Sequence, residues 1–244
     1  MKPSVYESFR DLESSVTCNL YAHVGVDTHL HQSIEIIAMI EGETEIAIGN
    51  ATFLLKKGEI AFIPPFFPHS IQKHEWNEYY CLIISKPFYA LYESIYRDQC
   101  FNLLKDIEYN QRIFKLLKSF RHGDSLLLQG QAYTILGEIT SHYRPVKSTY
   151  RNVQLIRKII DYVEKNVCNP ISLESISKEM GYNKYYLSHF FNRIFNCNLN
   201  QYINMVRLLR VEQTPGSRTE AILENGFTSL STYYRLKRKW SERQ

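Results

Sequence analysis

From about residue 20 to 85, apolar positions come in short runs rich in Ile, Phe, Thr and Tyr, each closed by turn residues. Residues 34–40 end at Glu41-Gly42, 44–48 at Gly49-Asn50 and 51–55 at Lys57-Gly58; 60–63 run into Pro64-Pro65, and 79–84 come last. Runs this short, separated by Gly-containing turns, predict an antiparallel meander folded as a sandwich or small barrel. Gly49-Asn50 is the strongest hairpin signal, because both residues tolerate the positive φ of a tight hairpin turn.

From about 87 to 143 the apolar spacing lengthens to three and four. Ile113, Leu116, Leu117 and Phe120 make one stripe; Leu127, Leu128, Ala132, Ile135, Leu136 and Ile139 make another, and both predict amphipathic helices. Arg144-Pro145-Val146-Lys147-Ser148 breaks the pattern, since proline disfavours helix at itself and at the residue before it. That break divides the chain into a β domain (1–86), a helical connector (87–147) and a helical domain (151–244).

The helical domain opens with the stripe Ile156, Ile159, Ile160 and Val163, ending near Asn169-Pro170. A short helix over 172–180 turns Leu173, Ile176 and Met180 inward and stops at Gly181. Asn183 then caps a third helix, with Leu187, Phe190 and Ile194 inward. Asn196 ends it in the left-handed position that Asn shares with Gly. A longer helix covers about 200–213.

A short helix, a Gly-containing turn and a second helix with an apolar inner face form a helix-turn-helix. Outside the inner face of the 184–195 helix lie Asn183, Lys184, Tyr185, Ser188, His189, Asn192 and Arg193. These groups hydrogen-bond base edges, and Lys and Arg also neutralise phosphate. Charge adds to this reading. The formal +4 hides −3 over residues 1–150 (14 basic against 17 acidic) and +7 over 151–244 (15 against 8), so the basic half suits a polyanion.

Composition narrows the classes further. At 44% hydrophobic and 22% charged, the 244-residue chain is not a disordered one. No apolar segment succeeds the N-terminal residues as in a secretory signal, and no run approaches the roughly 20 residues of a membrane span. Five cysteines, odd in number and widely spaced, read as reduced thiols of a cytoplasmic protein with no membrane partner. No G-x-G-x-x-G after a strand, no G-x-x-x-x-G-K-[ST] and no G-x-S-x-G is present, so no catalytic residue is expected.

The string ISLESISKEMGYNKYYLSHFFNRIF, succeeded by NLNQYINMVRL, carries a specific resemblance. Residues 156–207 resemble the first helix-turn-helix of the AraC/XylS family of bacterial transcription regulators, with Tyr202 and Arg207 as its closing pair. GFTSLSTYYRLKRK (226–239) resembles the family's second unit. The resemblance implies helix-turn-helix units at 171–195 and about 217–240, with Thr232, Arg235, Arg238 and Lys239 outward on the second recognition helix. Ser217 with Glu220 reads as a capping box, and Thr228 or Ser229 as the next cap.

There are departures from the family. About four residues are missing between Arg210 and Thr214, which shortens the connecting helix by about 6 Å and rotates the second unit by about 40°. Arg218, Ala221 and Ile222 stand where the family has Ile, Ile and Ala, and Lys237 replaces a Phe. The family's closing helix is absent. The second unit is therefore expected to lack a packing partner and to be poorly formed.

In the front half, His29-Leu30-His31 with Glu35 and Gly42 resembles the first cupin motif. Gly58-x5-Pro64 with His69 resembles the second, departing at Phe66 (usually Gly) and Lys73 (usually Asn). Positions 29, 31 and 35 differ by even numbers, so on one strand they face the same way. His69 on a neighbouring strand completes a three-His, one-carboxylate set for a divalent first-row metal. The same side chains suit hydrogen bonds to a small-molecule effector, or exposure to solvent. Phe53, Phe62, Phe66, Phe67 and Tyr80 suit a pocket lining or a core.

Together the resemblances imply an α+β two-domain protein, a cupin-like antiparallel β-barrel with a helical connector and then a double helix-turn-helix. They imply a sequence-specific regulator whose partners are promoter DNA, a small-molecule effector, a second copy of the chain paired through residues 87–143, and RNA polymerase. A metal-dependent cupin enzyme with a helical appendage is the alternative, and a degraded regulator with weakened DNA binding is a third reading.

Overall fold

The computed structural model describes residues 5–7, 15–97, 99–101, 103–147, 152–195 and 197–241. Contacts divide the chain into two compact units, Met1–Val153 and Gln154–Gln244.

The first unit holds two sheets. One is ordered β1 (Val5–Tyr6), β3 (Val26–Leu30), β8 (His69–Ile71), β5 (Glu43–Ile48), β6 (Ala51–Lys56). The other is ordered β2 (Val16–Ala22), β9 (Glu78–Ile84), β4 (Ile34–Glu41), β7 (Ile60–Ile63). All five expected runs are strands, yet the expected meander is not formed. Among the described residues only β5 and β6 make a tight hairpin, closing at Ile48↔Ala51 with Gly49 at φ 63°. Elsewhere the chain steps between sheets: β4 pairs with β7 and β9, β5 with β8, and β1 lies parallel to β3. The expected barrel is likewise replaced by two sheets, because among the described residues no edge strand of one pairs with an edge strand of the other.

Strand β4 explains the layering. Ile34, Ile36 and Ala38 on one side and Ile37 and Met39 on the other are all fully buried, so both faces of this strand are covered. Ile34, Ile36 and Ala38 share a core with helices α2 (Ile107–Lys118) and α3 (Ser125–His142), through Ile113, Leu117, Ala132, Ile135 and Ile139. Both predicted helical stripes thus pack on the second sheet. Asp106 and Asp124 cap these helices, accepting from the Tyr109 and Leu127 amides at 3.0 and 2.9 Å. Such a cap contributes about 1 kcal/mol. Before them come a 3₁₀ turn (Lys86–Phe88), α1 (Ala90–Tyr96) and β10 (Gln99–Cys100), which pairs with β11 (Val146–Lys147).

Among the described residues the second unit holds six helices: α4 (Asn152–Asn166), α5 (Leu173–Met180), α6 (Lys184–Phe195), α7 (Leu199–Gln213), α8 (Arg218–Glu224) and α9 (Leu230–Ser241). Its second half is packed, contrary to the expectation of a poorly formed unit. Leu208, Val211, Ala221, Ile222, Phe227 and Tyr233 make its core, so the substituted positions 221 and 222 point inward. The expected Ser217–Glu220 capping box is absent, since the Ser217 side chain makes no cap bond. Arg218 instead donates to the Val211 carbonyl at 2.9 Å, across the α7–α8 junction. Asn196, the expected cap of α6, lies outside the described residues, as does Ser148. Among the described residues no helix is long and apolar enough to cross a membrane.

Candidate functional site

The helix-turn-helix over α5 and α6 is built from local signals. Ser172 and Ser175 cap α5 reciprocally, each side chain bonding the other's amide at 3.0 and 3.1 Å. Gly181 ends α5 at φ 70°, ψ 26°, a left-handed conformation that costs any residue with a Cβ. Asn183 starts α6, its Oδ1 accepting from the Tyr185 amide at 2.8 Å. Leu187, Phe190, Phe191, Ile194 and Phe195 are buried on the inner face. Each such side chain contributes about 1.5–3 kcal/mol, which fixes the rotation of the helix about its axis.

That rotation leaves Asn183, Lys184, Tyr185, His189, Asn192 and Arg193 exposed and Ser188 half-buried. All seven residues singled out from sequence therefore lie outside the set of side chains that α6 buries. Asn183 spends its carbonyl oxygen on the cap and keeps only its amide donors. Lys184 lies 3.6 Å from Glu174, an exposed pair that restrains it little. Sequence reasoning missed Tyr182 and Tyr186, exposed and stacked at 5.4 Å between centroids beside this face. An i, i+4 aromatic pair was the signal available.

On α9, Ser229 is the cap, accepting from the Thr232 amide at 3.2 Å. Thr232 is half-buried and its hydroxyl accepts from Ser229 at 3.0 Å, so the capping turn restrains it. Arg235, Arg238 and Lys239 are exposed. Lys237, where the family has Phe, donates to Glu212 at 2.8 Å, and Tyr233 donates to the same oxygen at 2.7 Å.

The two helix-turn-helix units are tied together at the end of α4. Arg207 donates to the Val167 and Asn169 carbonyls at 2.9 Å each, and Arg210 donates to that of Glu164 at 2.6 Å. Cations suit a helix C-terminus, where carbonyls have no partners within the helix. Gly226, at φ 83°, passes so close that a Cβ there would lie 2.6 Å from the Val167 oxygen and 2.9 Å from Arg207 Nε.

In the first unit, His29, His31, Glu35 and His69 come together. Their ligand-type atoms all lie within 4.8 Å of one another, and the residues are 1–4% exposed. The expected placement of 29, 31 and 35 on one strand is incorrect. His29 is on β3, His31 lies just beyond its end and Glu35 is on β4, because the chain bends at Gln32-Ser33 and crosses from one sheet to the other. His69, on β8, is the register partner of His29, as a neighbouring strand requires. The cluster thus lies where the sheets face each other, and none of its members faces solvent.

Each imidazole is held by a backbone carbonyl two residues away. Nδ1 of His29, His31 and His69 lies 2.9, 3.1 and 2.8 Å from the carbonyls of Asp27, Ser33 and Phe67. Nε2 of His31 and His69 lies 3.0 and 3.4 Å from Glu35 Oε2, and Nε2 of His29 lies 4.0 Å from Glu7. Burial, with His69 beside it, drives the His29 pKa down to about 4, against the pull of Glu7 and Glu35. Burial alone would raise the Glu35 carboxyl, but hydrogen bonds and charge from His31 and His69 hold it well below its usual range. Phe66, where the cupin motif has Gly, adopts φ 68° and donates its amide to the His31 carbonyl at 2.8 Å. A left-handed Phe costs about 1–2 kcal/mol, which explains the family's glycine.

The aromatic residues do not form one lining. Phe62 is core, packed with Tyr92 and Phe101, and Phe66 is buried. Phe53 and Phe67 line a cavity with Cys100 and Phe101. Tyr80 lines another, of about 690 Å³, with Met39, Ile107, Phe114, Lys57, Lys115 and Lys118.

Residues 20–136 match the family model of the AraC-like ligand binding domain. Over 94 residues the chain is 26% identical to the regulatory protein SoxS of Salmonella typhimurium, a stretch covering 37% of this chain and 88% of that protein. Over 84 residues it is 33% identical to the multiple antibiotic resistance protein MarA of Escherichia coli, covering 33% of this chain and 66% of that protein. Among solved structures, unsaturated-fatty-acid-bound ToxT from Vibrio cholerae is similar at 12% identity and a TM-score of 0.46, covering 93% of this chain and 92% of that one.

Proposed function

The chain belongs to the AraC/XylS family of transcription regulators, and from that premise we propose that it binds promoter DNA in a sequence-specific way through α6. One observation carries the reading: the inner face of α6 is locked into the core while Lys184, Tyr185, His189, Asn192 and Arg193 stand exposed together. A helix so fixed presents hydrogen-bonding groups at the spacing of base edges in a major groove. Arg235, Arg238 and Lys239 on α9 add phosphate contacts that position the protein without reading sequence.

The first unit holds the effector, and the His29–His31–Glu35–His69 cluster is its binding site. Binding there shifts the regulator between states with different affinity for DNA, a coupling set by the effector's differential affinity for those states. Two copies pair through the α2–α3 region, where Leu126 stands 81% exposed. The protein acts in the cytoplasm, in contact with RNA polymerase, and is not an enzyme. The rival, a metal-dependent enzyme, draws on the same four side chains, and turnover by the purified chain would favour it.

Selection of genomic DNA fragments with the purified chain, and then footprinting, tests the proposal. The expected result is a few discrete protected sites whose affinity falls steeply with salt. Equal retention of all fragments would overturn it.

A further inference from the structure

We infer that the first unit has a second binding site, in the groove where α2 crosses the second sheet, and that it takes a small amphipathic anion: a carboxylate carried on a hydrocarbon chain. The chain lies along Ile40, Tyr80, Ile107 and Phe114, and the carboxylate meets Lys115 and Lys118. This groove is separate from the His29–His31–Glu35–His69 cluster. Tyr80 packs against the core shared with the helices, whereas its neighbour Cys81 donates to Glu35 at 3.4 Å. Groove and cluster therefore lie on opposite faces of β9.

Helix α2 carries two stripes. Asn110, Ile113 and Leu117 are buried beneath it. Beside them Ile107, Gln111, Phe114 and Lys118 recur at spacings of four, three and four, with Ile107 50% exposed and Phe114 half-buried. Across the groove, the register of β4 against β9 shifts at Ile40, which has no pair. The walls are fixed without a ligand. Asn110, fully buried, donates to the carbonyls of Gly58 and Leu104 at 2.8 and 2.9 Å and accepts from the Tyr143 hydroxyl at 2.7 Å. Gly58, at φ 82°, passes so close to α2 that a Cβ there would lie 2.7 Å from Ile107 Cγ2. A cleft set in advance costs little ordering when it is filled.

Charge selects the head group. Residues 1–150 are net −3, yet three of their 14 basic side chains ring this groove, and none of its lining residues is acidic. Lys115 and Lys118, three apart on one helix, stand side by side and exposed. Among the described residues neither has an ion-pair partner. Lys57, on the opposite bank, pairs only with Glu41, and both side chains are more than 60% exposed, so the pair holds it weakly. Neighbouring ammonium groups repel until an anion sits between them, and a carboxylate there also gains charge-assisted hydrogen bonds.

Lining and size select the body. The cavity, about 690 Å³, falls within the roughly 300–1,000 Å³ of clefts that hold small molecules, and like them it is walled mainly by aliphatic and aromatic side chains. A purely polar anion would leave Ile107 and Phe114 in water. A neutral hydrocarbon would leave the lysines unanswered. Each methylene drawn from water onto this wall adds roughly fourfold to affinity.

The test titrates the full-length chain with decanoate in a calorimeter, below the concentration at which decanoate forms micelles, with octanoate, decanol and decylammonium as comparisons. One equivalent of decanoate per chain is expected, bound more than tenfold tighter than decylammonium and roughly tenfold tighter than octanoate, which is two methylenes shorter. Replacing both lysines (Lys115→Ala with Lys118→Ala) loses more than tenfold for decanoate and leaves decanol unchanged, while Gln111→Trp, at an exposed helix position, blocks both. Bound decanoate slows hydrogen exchange in peptides covering 107–118. The inference is overturned by absent or unsaturable binding, by equal affinity for decanoate and decylammonium, or by binding that the double lysine variant leaves intact. Slowed exchange in 29–35 with none in 107–118 places the ligand between the sheets and overturns it too. So does binding to phosphatidylglycerol vesicles without binding of free decanoate, which makes the lysines a lipid-surface contact. DNA-fragment retention on the same preparations is a separate readout: its failure leaves this site standing, and absent decanoate binding leaves the regulator standing.

Discussion

Replacing Gly226 with alanine is expected to destabilise the second unit more than the same change at Gly181, although both glycines are left-handed. At Gly181, φ 70°, an added Cβ meets nothing within 4 Å, so the variant carries only the dihedral cost, about 1–2 kcal/mol. At Gly226, φ 83°, the Cβ arrives 2.6 Å from the Val167 oxygen and 2.9 Å from Arg207 Nε, the two ends of a 2.9 Å hydrogen bond. Backbone and a bonded guanidinium yield poorly, so that bond is lost as well. A hydrogen bond to a charged group is worth about 1.5–3 kcal/mol, and its partly buried position favours the low end. The Gly226 variant should thus lose about 3 kcal/mol in all, roughly 1.5 kcal/mol more than the Gly181 variant. For a unit of roughly 90 residues this separates the two melting temperatures by about 6–12 °C. Calorimetry on the full-length variants measures the gap, and hydrogen exchange in peptides from α4 and α8 assigns it to this junction. Equal melting temperatures, or unchanged exchange at the C-terminus of α4, would refute the idea that Gly226 and Arg207 hold the two helix-turn-helix units together.

Other outcomes rest on the same geometry. Arg193→Ala or Lys184→Ala should weaken binding to a selected fragment by about 1–3 kcal/mol if the side chain reads a base, with loss of discrimination at one base position in a competition assay. Phe191→Ala removes a ring 1% exposed and stacked on Phe195 at 4.0 Å, so denaturant unfolding should show a loss of about 3–5 kcal/mol. Hydrogen bonds from Lys237 and Tyr233 hold the Glu212 carboxyl below its usual 4.5. Its contribution to stability is complete above that value and fades as pH falls through the folded-state value, so melting curves between pH 5 and pH 3 should fall less steeply in Glu212→Gln.

Much of the second unit was legible because its determinants are local. Gly181, Asn183 and the stripe Leu187, Phe190, Ile194 fix where α5 stops, where α6 starts and which side turns inward. The packing of the second half was not legible, because it depends on pairs far apart in sequence, such as Arg207 with Val167 and Glu212 with Tyr233. In the first unit, the runs at 34–40 and 79–84 announced strands but not partners, and period alone does not reveal which sheet a strand joins. β8 is three residues, and in β2 Thr17 and Asn19 interrupt the apolar positions and most side chains are partly or fully exposed, so neither stood out. The four cluster residues were found from type and spacing, yet the even spacing suggested one strand. The bend at Gln32-Ser33 defeated that, since it contains neither Gly nor Pro to mark a turn and its two polar residues are buried by the fold. The carbonyls of Asp27, Ser33 and Phe67, which orient the imidazoles, leave no trace in side-chain pattern at all.

The central claim is that α6 reads DNA sequence, and quantitative footprinting of wild type and Arg193→Ala on one selected genomic site, across a salt series, tests it most directly. The account predicts a discrete footprint, an affinity that falls log-linearly with salt, and a variant that loses about five- to a hundred-fold on this site while keeping its binding to random DNA. A wild type that protects random DNA as tightly as the selected site, or a variant indistinguishable from it, would contradict the account.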